Sequence, residues 1–413
     1  MRALVYSLSV PKYLASKFYF SFLKGTRPFF PNLKFSKAAE KPALPNEQWV
    51  ELKSLMSGIC GSDQNMLRGQ EAFSMEPYAS FPCILGHENV AEIVKIGSGV
   101  LNWKIGDRVV VNPVMSCVVH GRTLCKFCAL GRISLCEGFA DSKNGLGPGL
   151  SLGYHNKTGG GWGENFVAHQ SQLFKIDSAV PLQRAVLTDP FACTLQPVCD
   201  FAAGKREEKT VVVFGMGTMG LLLIASIRAL RLPWKIIAIY KHEFQGALAK
   251  SFGANEILQS SKSLISDFAQ MTQAQVLPVA LGLPPIEGGV DAVFDCVSSP
   301  RSIDLSLRFA KQHGKVFVVG TGTSLAGVDP TPLWFREISL VGSSMSSIVV
   351  DPRDGFTKST YSVAVGLLAE LPSLGIRIEN LVTHEFKIDD YKKALSVAMG
   401  KSQHQAVKVV FAH

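Results

Sequence analysis

The sequence predicts an α/β protein in two parts, a strand-rich and loop-rich region followed by a doubly wound parallel sheet. Three observations predict it. From about residue 181 to 345, apolar strands alternate with helical stretches: "TVVVFG", "KIIAIY", "DAVFDCV", "KVFVVGTG" and "ISLVGSSM". Alternation of this kind builds a parallel sheet with helices on both faces. The first of these strands runs straight into Gly215-x-Gly217-x-x-Gly220 and a helix, the context in which such a turn holds a dinucleotide. Before residue 180 the pattern differs, with short β-branched runs such as "ENVAEIVKIGSGV" and "GDRVVVNPV" set between Gly and Pro, and these read as strands joined by loops.

A chain of 413 residues is long enough for two buried cores. The opening "MRALVYSLSV" reads as a first strand. It lacks the basic start, long apolar core and small-residue cleavage site of a signal peptide, so the expected location is cytoplasmic. No apolar run approaches the roughly 18 residues of a membrane span. The net charge of +9 comes from dispersed lysines and arginines, with no nucleic-acid module among them. A solvated basic surface explains that charge, and nucleic acid is excluded as a partner. "YLASKFYFSFLKGTRPFFPNLKF" at 13 to 35 packs aromatics among lysines. It reads as buried packing or a subunit contact, with a membrane-surface or substrate-lid role as the alternative. After residue 346 come helical periodicity in "STYSVAVGLLAEL" and "DDYKKALSVAMG", then a closing strand "AVKVVFA".

Nine cysteines without a secretion signal argue for metal or catalytic use over a disulfide framework. Four of them, Cys117, Cys125, Cys128 and Cys136, fall within twenty residues. A Cys-x2-Cys turn aims two thiolates at one centre, and two more sulfurs close the tetrahedron of a structural zinc with no place for water. The plain alternative is four unrelated thiols in a loop. His120, close behind Cys117, competes with Cys117 or Cys125 for a place.

In the glycine turn, Gly215 permits the tight bend, Gly217 lets pyrophosphate approach the backbone and Gly220 lets helix pack on strand. The free N–H groups of the helix then meet the phosphates. The second strand, "KIIAIYKHEF", would end in an acid if it held a ribose 2′-hydroxyl. It ends instead in Tyr240, Lys241 and His242. Lys241 could neutralise a 2′-phosphate and Tyr240 could stack on adenine, so NADP(H) is expected over NAD(H).

"MSGICGSDQNMLRG" carries Cys60, and sixteen residues after its end "LGHENV" sets His87 beside Glu88. Alone, Cys60 reads first as a small buried hydrophobe, with the first ligand of a metal site as the alternative. With "GICGSD", "LGHE", the cysteine lobe and "VVVFGMGTMG" in this order, the chain resembles the zinc-dependent medium-chain alcohol dehydrogenase family over nearly its whole length. The resemblance implies a GroES-like catalytic domain at 1–180 and a Rossmann domain at 181–345. It also implies that the segment 346–413 returns to the catalytic domain, and that the chain forms a homodimer or homotetramer. It further implies a catalytic zinc on Cys60 and His87, with Asp189 of "LTDPFACTLQPV" third and Cys193 its rival. Glu88 matches the neighbouring acid that approaches the metal when water leaves, and Ser62 matches the hydroxyl that passes the alcohol proton onward. Three ligands leave one position open, so the expected reaction is hydride transfer between a small-molecule alcohol or carbonyl and the nicotinamide. The alcohol would be secondary, a polyol or sugar-like.

The chain departs from the family pattern in three places. Seven residues separate Cys117 from Cys125 where relatives have two. Asn65 stands where many carry the histidine that ends the proton path. The 13–35 segment is longer than the usual connection. A zinc-free quinone or enone reductase and a non-catalytic nucleotide-binding protein are the alternatives, and Cys60, His87 and Asp189 argue against both.

Overall fold

The computed structural model describes residues 1–22, 29–322 and 324–413. Its six-stranded sheet runs, from edge to edge, Glu256–Gln259, Trp234–Tyr240, Lys209–Phe214, Val290–Asp295, Ala310–Val318 and Ser339–Gly342. All pairings are parallel. In chain order these strands are third, second, first, fourth, fifth and sixth, which is the doubly wound arrangement. Burial on both faces explains their near-continuous apolar composition: Val211, Val212 and Val213 are all fully buried. The order reverses between Lys209–Phe214 and Val290–Asp295, and crevices at such reversals are where open α/β sheets bind ligands.

A second, seven-stranded sheet is built around the ten-residue strand Trp49–Gly58. The first half of this strand pairs with Asn165–His169, and its length also pairs with Asn89–Ile96. Its last residues pair with Lys408–Ala412, with Val410 opposite Gly58. The final strand of the chain is thereby laid two residues from Cys60. Arg108–Val111, Leu173–Lys175 and Val382–Phe386 complete the sheet.

The helix Thr188–Ala202 joins the two sheets and packs on the helix Thr218–Ala229. Leu195, Val198, Leu222 and Ala225 are fully buried in one apolar cluster, and each leucine so buried stabilises by about 1.5–3 kcal/mol. Thr194 Oγ1 and Ser226 Oγ meet at 2.9 Å within that contact, so the polar groups that the packing buries satisfy each other.

The segment at 13 to 35 follows the expected burial at its end, where Leu33 is buried and Phe30 and Phe35 pack on the core, and departs from it in its helix. Residues 23–28 of it lie outside the described residues. The helix Val10–Ser21 buries only Tyr13 and Ser16, because its backbone seats on Gly69. That glycine has a left-handed φ of 66° and caps the helix Gly61–Arg68, and a Cβ there would lie 2.7 Å from Tyr13 O. Contact along one narrow strip leaves the opposite apolar face outside. No helix among the described residues is long and apolar enough to cross a membrane.

Candidate active site

A cavity of about 1400 Å³ lies between the two sheets, with Cys60, His87 and Asp189 on one wall and Gly215, Gly217 and Gly220 on another. That volume exceeds the roughly 300–1,000 Å³ of common small-molecule sites, so it accommodates a dinucleotide with a second small molecule. Cys60 is the residue before the helix Gly61–Arg68, and its N–H donates to Asp63 Oδ2 at 2.9 Å. His87 and Glu88 immediately precede the strand Asn89–Ile96. One ligand atom from each of Cys60, His87 and Glu88 lies within 4.8 Å of the others.

Asp189 faces the same cavity but stands outside that close trio. It sits in the first turn of the helix Thr188–Ala202, with Cys193 four residues on and also on the cavity wall, as i and i+4 positions share a helix face. The Asp189 residue is 8% exposed and its carboxylate has no hydrogen bond or ion pair among the described residues. Burial pushes its pKa up to about 7. Glu88 is differently placed. Its carboxylate forms a buried ion pair with Lys408 of the final strand, where the ammonium is held charged by Glu88 against the cost of burial.

A chain of hydroxyls leads into the wall. Tyr154 Oη donates to Asp63 Oδ1 at 2.7 Å, and Ser62 Oγ lies 3.0 Å from Tyr154 Oη. Asp63 Oδ1 is in turn 3.5 Å from His87 Nδ1. Burial works to raise the Asp63 carboxyl, but His87, Tyr154 and the Cys60 N–H outweigh it and hold it ionised. An ionised carboxylate only accepts, so Tyr154 spends its proton on Asp63 and its oxygen accepts from Ser62. The lone pairs of Ser62 are then left for another donor. Asn65 points elsewhere, its amide donating to Thr321 Oγ1 at 3.4 Å.

On the nucleotide wall, Gly215 has φ +93°, and a Cβ there would lie 2.3 Å from Val297 Cγ2. A Cβ on Gly220 would lie 2.0 Å from Gly215 O, whereas one on Gly217 would meet nothing within 4 Å. Turn, open approach and close packing thus divide among the three as their spacing implies. Thr218 Oγ1 donates to Val407 O at 3.0 Å, fastening the start of this helix to the residue just before the final strand. The second strand's end corrects two expectations. Tyr240 is largely buried against Gly246, with its hydroxyl 3.3 Å from Glu243 Oε2, so its ring is used in packing and does not line the cavity. A carboxylate, Glu243, is therefore present near the strand end, engaged by Tyr240 and by Gln259 Nε2 at 3.0 Å. Lys241 is exposed and unpaired among the described residues, and His242 lines the cavity.

In the lobe, the sulfurs of Cys117, Cys125, Cys128 and Cys136 lie within 4.8 Å of one another. Cys117 and Cys136 are 3.5 Å apart, and the N–H groups of Cys125, Cys128 and Gly138 aim at lobe sulfurs at 3.4 Å. Burial opposes it, but such N–H donors lower the Cys125 thiol. His120 is outside the set, with Nε2 3.2 Å from Gly149 O. Four converging sulfurs fit a closed tetrahedral zinc. In the cleft, thiolate, imidazole and carboxylate donors with a buried, unpartnered acid fit a second zinc with room for a further ligand.

Sequence reasoning passed over Tyr154 and Lys408. Tyr154 carries no motif at all. Lys408 offers a signal, a cation inside the apolar run "AVKVVFA", which is rare unless it is paired.

Residues 46–178 match the family model described as alcohol dehydrogenase GroES-like domain, and residues 218–368 match that described as zinc-binding dehydrogenase. The sorbitol dehydrogenase of Arabidopsis thaliana is 27% identical over 368 residues, spanning 89% of this chain and 88% of that one. Two solved structures share the fold. A zinc-binding dehydrogenase from Sinorhizobium meliloti 1021 bound to NADP aligns with TM-score 0.70 and 23% identity over all of both chains. An alcohol dehydrogenase from E. coli CFT073 complexed with NADH aligns with TM-score 0.73 and 21% identity, over 100% of this chain and 99% of that one.

Proposed function

The chain belongs to the zinc-dependent medium-chain alcohol dehydrogenase family, and on that premise we propose that it oxidises a polyol-like secondary alcohol at a zinc held by Cys60, His87 and Asp189. It is an oxidoreductase that uses zinc and a nicotinamide cofactor. The observation that carries the ligand assignment is Asp189, a buried carboxylate facing the cavity with no cation of its own, whereas Glu88 is committed to Lys408. The likeness to a sorbitol dehydrogenase supports a polyol as the alcohol. The lobe sulfurs of Cys117, Cys125, Cys128 and Cys136 would hold a second, structural zinc.

A zinc in the cleft supplies Lewis acidity toward the substrate oxygen. The protein supplies the rest. Ser62 Oγ accepts a hydrogen bond from the substrate hydroxyl, and as that proton moves onto Ser62 the serine's own proton moves to Tyr154 and the Tyr154 proton to the Asp63 carboxylate. The walls of the cavity set the substrate carbon against the nicotinamide and keep water away, which is the protein's share in a cofactor-borne hydride transfer. Gly217 and the N–H groups of the helix Thr218–Ala229 receive the pyrophosphate. For the adenosine end we favour NADP, with Lys241 and His242 facing the 2′-phosphate while Glu243 is engaged by Tyr240 and Gln259.

Elemental analysis together with a panel of polyols and simple alcohols, each run with NADP and with NAD, tests this reading. Two zincs per chain and polyol oxidation are expected. Lys241→Ala should weaken NADP binding by about 1–2 kcal/mol, the scale of one charge-assisted hydrogen bond, and leave NAD binding unchanged. Equal losses for both cofactors remove Lys241 from the site, and a zinc-free, fully active enzyme removes the metal.

A further inference from the structure

The helix Val10–Ser21 presents a row of large apolar side chains that the protein itself does not cover. Val10, Leu14, Phe18 and Phe22 recur at every fourth position and are 56%, 52%, 55% and 74% exposed, on the side away from the buried Tyr13 and Ser16. Phe18 and Phe22 stack with ring centroids 5.4 Å apart, so the row is a continuous surface. On the inward face of the helix the Tyr13 ring meets Phe73 at 5.0 Å, tying the helix to the turn Phe73–Tyr78, where Phe73, Met75 and Tyr78 are also exposed. Exposed apolar surface of this extent on a globular protein marks a place of contact.

Charge indicates what is contacted. Seven lysines and arginines, and no acid, precede Glu40 in the sequence. Of these, Arg2 is paired with Glu164 and Asp389, while Lys12 and Lys17 on the helix make no ion pair among the described residues. Glu76, in the adjoining turn, is exposed, and Glu71 is half-buried, its backbone carbonyl accepting from the Tyr13 hydroxyl. A second copy of the chain meeting this face symmetrically would set the same cations against themselves. An anionic lipid surface complements both properties, taking the aromatic row into its interface and the lysines to its headgroups.

We propose that the Val10–Ser21 helix, with the Phe73–Tyr78 turn, docks this enzyme peripherally on anionic lipid bilayers. Phe73, Met75 and Tyr78 also line the cavity, so docking sets the mouth of the cleft at the lipid interface. The contact is superficial, since the helix spans twelve residues and lies along the protein surface.

Flotation of the full-length protein with vesicles tests it. Binding to an equal mixture of phosphatidylcholine and phosphatidylglycerol should exceed binding to phosphatidylcholine alone by at least about tenfold, and should fall as salt is raised. Leu14→Glu and Phe18→Glu should each reduce binding to the phosphatidylcholine level, and Lys17→Glu should weaken it severalfold. Neither Leu14 nor Phe18 lines the cavity, so alcohol oxidation and the melting temperature should match the parent protein, which separates lost docking from lost folding. The proposal is overturned if the parent protein stays free of the mixed vesicles, or if both Leu14→Glu and Phe18→Glu bind them as well as the parent does. It is equally overturned if light scattering finds an oligomer that Phe18→Glu converts to monomer, because the row then covers a second copy.

Discussion

Asp189 is where one side chain bears most on the chemistry. A buried carboxylate without a cation or donor is costly, and its pKa of about 7 registers that cost. A divalent cation beside Cys60 and His87 would remove it. Asp189→Asn keeps the shape and removes the charge, and a neutral amide oxygen is a poorer zinc donor. The variant should lose the cleft zinc, retain the lobe zinc and oxidise alcohol at least about a hundredfold more slowly, with cofactor affinity intact. Cys193→Ser should keep most activity. Glu88→Gln probes the rival acid, and strands Lys408 in the interior at a stability cost of about 3–5 kcal/mol. Zinc counts and initial rates on the three proteins separate the readings: if Glu88→Gln loses the cleft metal and Asp189→Asn retains it, the third ligand is Glu88.

Among the elements, the cysteine lobe has little apolar core of its own to hold it together. Its apolar cluster consists of Val114, Phe139 and three of its own cysteines, with a few half-buried neighbours. So small a core stabilises little, and small units of this kind depend on a metal or a covalent staple. Cys128→Ser should therefore release one zinc per chain and open the segment around residues 117–150 to limited proteolysis. His120→Ala should do neither, since its ring meets Gly149 and the sulfurs do without it. Should His120→Ala also shed a zinc, the imidazole belongs to the ligand set. The helix Thr188–Ala202 is the opposite case, an element with a large buried face, which keeps Asp189 and Cys193 fixed with respect to the nucleotide wall.

For the molecule as a whole, acid lability follows from groups buried in one protonation state. His155 is fully buried, and burial, with His120 and Lys157 nearby, lowers its pKa to about 4. The unfolded chain takes up that proton near pH 6.5 and the folded chain does not. Stability is therefore lost as pH falls from about 6.5 toward 4, by on the order of 2–3 kcal/mol. Asp351 acts lower. Burial works to raise it, but Arg353 at 2.8 Å and Lys358 at 3.1 Å hold it at about 2, and this contribution is lost as pH falls from about 4 toward 2. Thermal scans from pH 7 down to pH 4 should show a declining melting temperature whose slope is reduced in His155→Gln. An unchanged slope in that variant would place the acid sensitivity elsewhere, for example in release of metal from protonated thiols.

Features whose partners are close in the chain could be read directly. The strand that ends in Gly215-x-Gly217-x-x-Gly220 announces its own turn and helix, because each glycine answers a local steric demand. Cys125-x2-Cys128 aims two sulfurs at one point for a similar local reason. The alternating apolar strands disclose a parallel sheet through burial on both faces, and the order of its strands then places the crevice. Other features depended on pairings between distant segments. Ser62 finds Tyr154 from 92 residues away, and Glu88 finds Lys408 only because the last strand pairs beside Gly58. Tyr240 was legible as the end of a strand, but packing against Gly246 decided that its ring would not face the cavity. The row on the Val10–Ser21 helix stands out in the sequence as aromatic, yet whether it faced inward or outward rested on the single strip that Gly69 offers it. Period and spacing are properties of neighbouring residues and survive without a fold, whereas charge pairing, burial and exposure exist only once distant segments have been brought into contact.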